Sequence, residues 1–342
     1  MRHSLHSEGA FSTPSAEPDF MFQLQTGYYA YIAFKSALDN GIFEKLEKSR
    51  TLKEIAEVID KSEDSVERLL NVLICMGLVE YDENGYCNSA YATKYCVLSS
   101  DSYLGGVFQF SHDIFGEVFS RQSGSLSPVS CEQPSDESIF AAGVAAGVDF
   151  VKAGAVQQNA ELITTQPFFS QAQSMLDVGC GSALLSLELL KKHSTLELTL
   201  LDLPPVIQET RKIAQKHEST HRISCVEANA FTDKIAGIYD IIFVSDALYG
   251  AEDLQKIVEK LKKTLNKGGT LILRHMEIPE QKESALHCAL LRLGGTLIDM
   301  PGYIFPTDAL LNALKAVGFQ QIQSCPFKYL QHSYVTYIAS AQ

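Results

Sequence analysis

The sequence is short of positive charge, and this shortage excludes two classes of partner. It has 28 lysine and arginine residues against 41 aspartate and glutamate residues, which gives a formal net charge of −13. Nucleic acids and anionic membranes attract proteins through clusters of basic side chains. We therefore expect neither nucleic acid nor a membrane among the partners of this chain.

Paired cysteines and uninterrupted apolar segments are also missing. None of the eight cysteines stands in a Cys-x-x-Cys pair, which argues against a zinc site or a redox dithiol and indicates free thiols in a reducing cytoplasm. The chain does not open with a basic segment followed by an apolar run, so no secretory signal is expected. Asp149 and Lys152 interrupt the Ala/Gly-rich stretch 140–156, which excludes a membrane span there. The predicted location is the cytoplasm.

What the chain does contain is typical of a globular enzyme with two domains. Its 342 residues are 46% hydrophobic and 20% charged, which is enough to bury a substantial core. Residues 1–18 are polar and are predicted to form a flexible arm.

The following segment has the pattern of a winged helix. Thr51 and Glu54 form a capping-box pattern at the start of one helix, and residues 65–73 read as a second, amphipathic helix. Residues 82–85, whose Asn84 and Gly85 suit a hairpin, then predict a turn between two short strands. Two helices followed by a hairpin predict a winged-helix module.

A winged helix can bind DNA or serve as an oligomerisation domain. Residues 1–100 hold 15 acidic and 9 basic side chains, a difference of 6 negative charges. DNA binding needs a basic face, so a winged-helix regulator is disfavoured. Residues 20–43 are rich in Phe, Tyr, Leu and Ile, which suits a buried subunit interface and predicts a homodimer.

From about residue 172 the pattern alternates between strand and helix, which predicts an α/β, doubly wound sheet. A helix is expected around 254–265, closed by Gly268 and Gly269, and another over 308–317. Two tail strands are expected to form a hairpin at the sheet edge. Two of the predicted strands end at Asp177 and Asp202, and the other five cover 223–227, 239–244, 270–273, 320–325 and 334–339.

A glycine turn follows the first of these strands and marks a nucleoside site. Asp177 is followed by Gly179 and Gly181, and Asp202 closes the next strand 25 residues after Asp177. Glycines let the backbone approach a ligand, and the second acid is placed to take a ribose diol. An acid just before the turn repels a pyrophosphate but favours a cationic, amino-acid-bearing ligand.

These segments, in this order, resemble the class I S-adenosylmethionine-dependent methyltransferases. The closer resemblance is to the small-molecule O-methyltransferases that carry an N-terminal winged-helix dimerisation domain. The resemblance implies a Rossmann-like methyltransferase sheet, S-adenosylmethionine as cofactor and a small-molecule acceptor. It rests on residues 24–28, 40–43, 176–181, 201–204, 267–269 and 316–319.

The resemblance also implies positions for the cofactor and for the domains. The turn would hold the methionyl part, Asp202 the ribose, and Asn229 and Phe231 the adenine, although the family usually has Asp where this chain has Asn229. The complete predicted cofactor set is Asp177, Gly179, Gly181, Asp202, Leu203, Asn229, Ala230, Phe231 and Ser245. The predicted boundaries are 1–18 arm, 19–105 dimerisation domain, 106–170 helical linker and 171–342 catalytic domain.

The acceptor side departs from the family. Where the family has a catalytic histidine and two orienting acids, this chain has Tyr249, His275 and Tyr303. Tyrosine has an ordinary pKa near 10, whereas that of histidine is near 6.5, so His275 is the candidate base, with Asp246 as an acid or orienter beside it. The alternative is that these residues only shape a polar pocket. The predicted pocket lining is Phe108, His112, His287 and Leu291.

Three functions remain open from the sequence. The leading prediction is methylation of a small aromatic or polyketide-like metabolite at O, N or C. A second is a non-methylating reaction that keeps the cofactor, namely a rearrangement, a decarboxylation or a hydroxylation, and the third is the DNA-binding regulator. Scattered ligands at Asp246, His275, Glu277 and His287 also suit iron, but their spacing does not establish a metal site, and no metal is predicted.

Overall fold

The structure is a computed structural model, and it describes most of the chain in two compact units. The units are Met1–Leu98 and Ser99–Gln342. The boundaries predicted at 18, 105 and 170 stay predictions. The described residues are 19–116, 156–248, 251–276, 308–329 and 332–341, together with 141, 143, 144, 147, 148, 154, 286, 288–291, 293 and 305.

The first unit is mostly helical and contains the expected winged-helix elements. The capping box at Thr51 is confirmed, because the Thr51 side chain accepts from the Glu54 N–H while Glu54 accepts from the Thr51 N–H. Its elements are α1 (Asp19–Asp39), α2 (Ile42–Lys45), α3 (Leu52–Ile59), α4 (Glu63–Cys75), β1 (Val79–Asp82), β2 (Gly85–Asn88) and α5 (Ala90–Tyr95).

The hairpin forms, and its turn covers residues 82–85 as predicted. Asp82 pairs with Gly85, so Glu83 and Asn84 are the two loop residues and Gly85 opens strand β2. The Asp82 carboxylate accepts from the Asn84 N–H at 2.7 Å, and Gly85 takes a φ of 120°. The Asp82 side chain therefore caps the turn, and the residue with positive φ is a glycine, Gly85, which lies next to Arg50.

The first two-thirds of α1 expose seven large apolar side chains within this unit. They are Phe20, Met21, Phe22, Leu24, Tyr28, Tyr29 and Ile32, each at least 43% exposed. An apolar surface of this size marks an interaction site rather than an ordinary solvent face.

The second unit is built on a seven-stranded sheet with helices on both faces. Strand order is β5-β4-β3-β6-β7-β9-β8, and all pairs are parallel except those that β9 makes. The strands are β3 (Ser174–Val178), β4 (Glu197–Asp202), β5 (Ile223–Glu227), β6 (Tyr239–Ser245), β7 (Leu265–Met276), β8 (Gln321–Tyr329) and β9 (His332–Ser340). The α/β sheet and the hairpin at its edge are as predicted.

Chain order reverses between β3 and β6, and this reversal opens a crevice beyond their carboxyl ends. Helices cover the sheet on either side of that edge. Those of this unit are α6 (Gly105–Ser111), which runs into a π-helical turn over His112–Gly116, then α7 (Val156–Thr164), α8 (Leu184–Lys191), α9 (Pro204–Ala214), α10 (Leu254–Lys262) and α11 (Ala309–Ala316).

Strand β7 begins earlier than the sequence predicts. Leu265 belongs to β7 and pairs with Tyr239, whereas the next registered pair is Ile241 with Thr270. The intervening residues bulge out of the ladder, and Gly268 takes a φ of 78° there. The Gly268–Gly269 pair is therefore a bulge inside the strand and not the end of helix α10.

In the part of the chain that the structure describes, no helix is both long enough and apolar enough to span a bilayer.

Helix α4 provides a test of this packing. Leu70 is fully buried, whereas Val72 on the same helix is 38% exposed. We expect Leu70→Ala to lower the free energy of unfolding by about 2–5 kcal/mol, because it leaves a cavity in the core of the first unit. Val72→Ala should change it by no more than about 0.5 kcal/mol. Urea denaturation followed by circular dichroism measures both, and equal losses would contradict the packing.

Candidate cofactor and acceptor site

The turn after β3 brings three strand ends together. The N–H groups of Gly179 and Cys180 donate to the Leu201 carbonyl of β4 at 2.8 and 3.2 Å. Gly179 has a φ of 67°, and a Cβ there would lie 2.2 Å from the Ala247 Cβ just beyond β6. A Cβ at Gly181 would meet open space. Gly179 therefore allows close packing against the end of β6. The open space beside the Gly181 backbone is called the cradle below.

Asp202 links this cradle to the end of β4. Its carboxylate oxygens accept from the Gly181 N–H at 2.9 Å and from the Leu203 N–H at 2.8 Å. Burial raises the pKa of Asp202, and the two hydrogen bonds oppose that rise. Each oxygen keeps a further lone pair, so the carboxylate can accept from two adjacent hydroxyls such as those of a ribose.

Asp177 lies beneath the turn and not in the crevice. Only 3% of it is exposed, and it accepts from the Ser186 hydroxyl of helix α8 at 2.6 Å. Burial raises its pKa to about 7, while the Ser186 hydrogen bond acts in the opposite direction. Its contact with Ser186 ties the strand to the helix that follows the turn.

The loop after β5 closes on itself. The Phe231 N–H donates to Asn229 Oδ1 and the Asn229 N–H donates to Asp233 Oδ2, both at 2.9 Å. The Asp233 N–H returns to the Asn229 carbonyl at 2.8 Å. Because N–H and C=O point in opposite directions across a trans peptide, the Ala230 N–H points away from Asp233. Asn229 Oδ1 retains one lone pair, and the Phe231 ring, 37% exposed, lies beside it in sequence.

A charged cluster lies at the carboxyl ends of β6 and β7. Arg274 Nη1 donates to Ser245 Oγ at 2.9 Å and to Asp246 Oδ2 at 2.8 Å. The other oxygen of Asp246 accepts from the Met276 N–H at 2.9 Å. The Arg274 guanidinium also lies 3.9 Å from the centre of the Tyr334 ring. The Asp246 side chain is 37% exposed and that of Arg274 only 8%, so the carboxylate is the accessible member of the pair.

His275 is buried behind this pair. It is 3% exposed, its Nδ1 lies 3.9 Å from Asp246 Oδ1, and its ring packs edge-on against Phe305 at 5.3 Å. Burial lowers its pKa to about 4, with Asp246 acting in the opposite direction. Within the described residues Nε2 has no hydrogen-bond partner. The ring is therefore neutral at physiological pH.

Several predicted acceptor-side residues lie outside the described residues. They are Tyr249, Tyr303 and His287, and the same holds for Glu277. Phe108 lies on α6, His112 opens the π-helical turn, and Leu291 is half-buried. The described residues hold no group of three or more His, Cys, Asp or Glu side chains placed to bind a metal ion.

Arg274 is the site residue that the sequence reading missed. It closes the apolar run of strand β7, and a buried arginine needs a carboxylate or an aromatic partner. In the structure, the backbone of Asp246 takes a φ of 49°, which is unusual for a residue with a side chain. An arginine that ends a buried strand beside an acid on the neighbouring strand is thus a usable sequence signal.

Comparison with known proteins places this chain in a family. The 3-hydroxy-5-methyl-1-naphthoate 3-O-methyltransferase of Streptomyces sahachiroi is 24% identical over 321 residues, covering 91% of this chain and 92% of the relative. An O-methyltransferase family protein of Burkholderia thailandensis has the same fold, with a TM-score of 0.79 at 19% identity over 96% of this chain and 99% of the other. Human N-acetylserotonin methyltransferase, solved in complex with S-adenosylmethionine, gives 0.76 at 16% identity over 96% and 99%.

The family models divide the chain as the two units do. Residues 22–97 match the O-methyltransferase dimerisation domain. Residues 136–319 match the O-methyltransferase domain, which is more than half of the chain. The cradle at Gly181, open beside Asp202, fits the amino-acid and ribose parts of the family's methyl donor. The chain belongs to the O-methyltransferase family and is an S-adenosylmethionine-dependent methyltransferase acting on small molecules.

Proposed function

We propose that this enzyme methylates an acidic hydroxyl group on a small aromatic or polyketide-like acceptor. The naphthoate O-methyltransferase of Streptomyces sahachiroi supports this class of acceptor, because its name specifies a hydroxyl on an aromatic acid. A carboxylate is a weak base, so it suits the deprotonation of a hydroxyl that is itself acidic. The observation that carries the proposal is the accessible Asp246 carboxylate held by the buried Arg274.

The proposed cofactor set is the turn, Asp202 and the loop after β5. S-adenosylmethionine supplies an activated methyl group on its sulfonium. Asp202 and Leu203 would hold the ribose, and Gly179, Gly181 and Ser245 the methionyl end. The Ala230 N–H and the Asn229 carboxamide would meet the adenine edge, with Phe231 against its face. Asp177 acts from beneath by fixing the turn to helix α8.

Asp246 is proposed to lie between the cofactor and the acceptor. The next residue, Ala247, packs against Gly179 of the cofactor turn. Arg274 and the Met276 N–H hold one lone pair on each carboxylate oxygen, so the remaining lone pairs can accept from an acceptor hydroxyl. The role proposed for Asp246 is to orient that hydroxyl and to take its proton as the methyl group transfers.

His275 is proposed to support Asp246 as a neutral neighbour. Tyr249 and Tyr303 are proposed to line the acceptor pocket with Phe108, His112, His287 and Leu291. The pKa of His275, near 4, makes it a weak base. The geometry therefore favours positioning and pocket shape over proton transfer by this ring.

The proposed assembly is a homodimer formed through the first unit. The exposed apolar side chains of α1 provide a surface that a second copy would bury. Such a surface is typical of obligate subunit interfaces. The match of residues 22–97 to a dimerisation domain supports this assignment.

Methyl-labelled S-adenosylmethionine tests the function and the role of Asp246 together. With a panel of hydroxynaphthoates and related phenolic acids, we expect the label in an ether product. Asp246→Asn should lower kcat by about 100-fold, within the range of general acid–base groups, and leave cofactor affinity within about twofold. Asp240→Asn is the matched control, because Asp240 lies at the opposite end of β6 and accepts from the backbone of Gln173 and Ser174.

Other outcomes of the label experiment would count against the proposal. Consumption of an acceptor without label in the product indicates a non-methylating reaction. Label on nitrogen or carbon contradicts the hydroxyl acceptor. Unchanged turnover in Asp246→Asn removes Asp246 from the proton path, and equal losses in Asp240→Asn attribute its effect to folding.

The burial of His275 predicts how stability depends on pH. As pH falls below 6.5, the unfolded chain protonates this histidine, whereas the folded chain, with a pKa near 4, does not. Between pH 7.5 and 5.0 wild type should therefore lose about 2 kcal/mol more unfolding free energy than His275→Gln. Asp177 titrates in both proteins and cancels in the comparison. Urea denaturation at the two pH values measures the difference, and parallel losses would show that His275 is not buried.

A further inference from the structure

Lys260 of helix α10 donates to three backbone carbonyls of the loop after β5. Its Nζ lies 2.7 Å from the Ala230 oxygen and 3.3 Å from the Phe231 oxygen, and it also bonds the Asp233 oxygen. The three donors of one ammonium thus meet three carbonyls of a single loop. The helix that carries Lys260 is itself anchored in the core by Ile257, Val258 and Leu261.

These contacts determine which groups of the loop face outward. Lys260 draws the carbonyls of Ala230 and Phe231 toward α10, and Asp233 draws the Asn229 N–H inward. In each trans peptide the remaining group points the opposite way. Lys260 therefore holds both peptides that flank Phe231, which turns the Phe231 N–H toward Asn229 Oδ1 and sets the direction of the Phe231 ring. The Ala230 N–H belongs to the preceding peptide, whose Asn229 carbonyl accepts from the Asp233 N–H. Lys260 acts on that peptide through Asp233, whose carbonyl it also binds.

We infer that Lys260 is a positioning residue for the cofactor and sets its affinity by holding the loop 229–233 in its binding conformation. The inference rests on the proposed function, in which Asn229, Ala230 and Phe231 meet the adenine. Without the ammonium, three carbonyls lose a charge-assisted partner and turn toward water. A loop free to turn must be ordered again by the ligand, which reduces affinity without altering the methyl-transfer step.

Lys262, two residues along the same helix, offers a matched control. Its Nζ donates to the carbonyls of Val317 and Gly318 at 2.9 and 3.3 Å, and it lies 4.9 Å from the centre of the Phe319 ring. It has the same chemistry as Lys260, but it holds the end of helix α11 instead of the loop. Loss of either lysine should affect stability in a similar way, and only Lys260 should affect the cofactor.

The experiment is calorimetric binding of S-adenosylhomocysteine and of adenosine to the full chain. We expect Lys260→Met to weaken both ligands by the same factor, about tenfold, which matches the loss of charged hydrogen bonds. Lys262→Met should leave both dissociation constants within twofold of wild type. Lys260→Arg, which keeps the cation, should recover part of the affinity. In steady-state assays Lys260→Met should raise KM for S-adenosylmethionine by a similar factor and change kcat by less than twofold.

Hydrogen exchange gives a readout that does not depend on ligand or activity. The N–H groups of Asn229, Phe231 and Asp233 should exchange faster in Lys260→Met and at the wild-type rate in Lys262→Met. If Lys260→Met folds poorly, Lys260→Gln takes its place in this measurement. It keeps a neutral donor, so its amide exchange rates should lie between those of wild type and those of a variant without a donor.

Asp202→Ala, measured in parallel, distinguishes failure of the proposed cofactor site from failure of the role inferred for Lys260. If Asp202→Ala binds both ligands as wild type does, the proposed cofactor site is wrong. If Asp202→Ala loses affinity while Lys260→Met binds normally, the site stands and the role of Lys260 is overturned. Equal losses in Lys260→Met and Lys262→Met would also overturn it, because they would reflect general destabilisation.

Discussion

The hydrogen bond from the Gly181 N–H to the Asp202 carboxylate is the contact on which the proposed cofactor site depends. It fixes the turn after β3 against the end of β4, and the Gly179–Ala247 approach fixes the same turn against the end of β6. Three strand ends thus form one rigid edge at the point where the sheet reverses its order. A side chain at Gly179 would separate them, and loss of Asp202 would leave the Gly181 N–H without its acceptor.

A second constraint organises the acceptor side. Arg274 is buried, so its charge requires Asp246, and Asp246 in turn holds the end of β6 against the Met276 N–H of β7. Asp246 is the accessible member of the pair, so the charged group at the crevice is a carboxylate, which can take a proton, and not a cation. His275 lies behind Asp246 as a neutral ring, because burial lowers the pKa of this histidine to about 4.

The sheet and its edge hairpin could be predicted because short apolar strands ending in Asp177 and Asp202 recur with helices between them. The start of β7 could not, because the bulge at Gly268 shifts the register of this strand locally. Glycine pairs mark turns and bulges alike. The burial of His275 and the three-carbonyl contact of Lys260 depend on tertiary packing, which neither periodicity nor motif spacing contains.

The central claim is that the cradle at Gly181 and Asp202 and the loop 229–231 hold one nucleoside cofactor. A crystal structure with S-adenosylhomocysteine bound tests this most directly. We predict the ribose hydroxyls within hydrogen-bond distance of Asp202, the adenine edge at the Ala230 N–H and the adenine face against Phe231. A ligand seated elsewhere, or an adenine pointing away from residues 229–231, would contradict it.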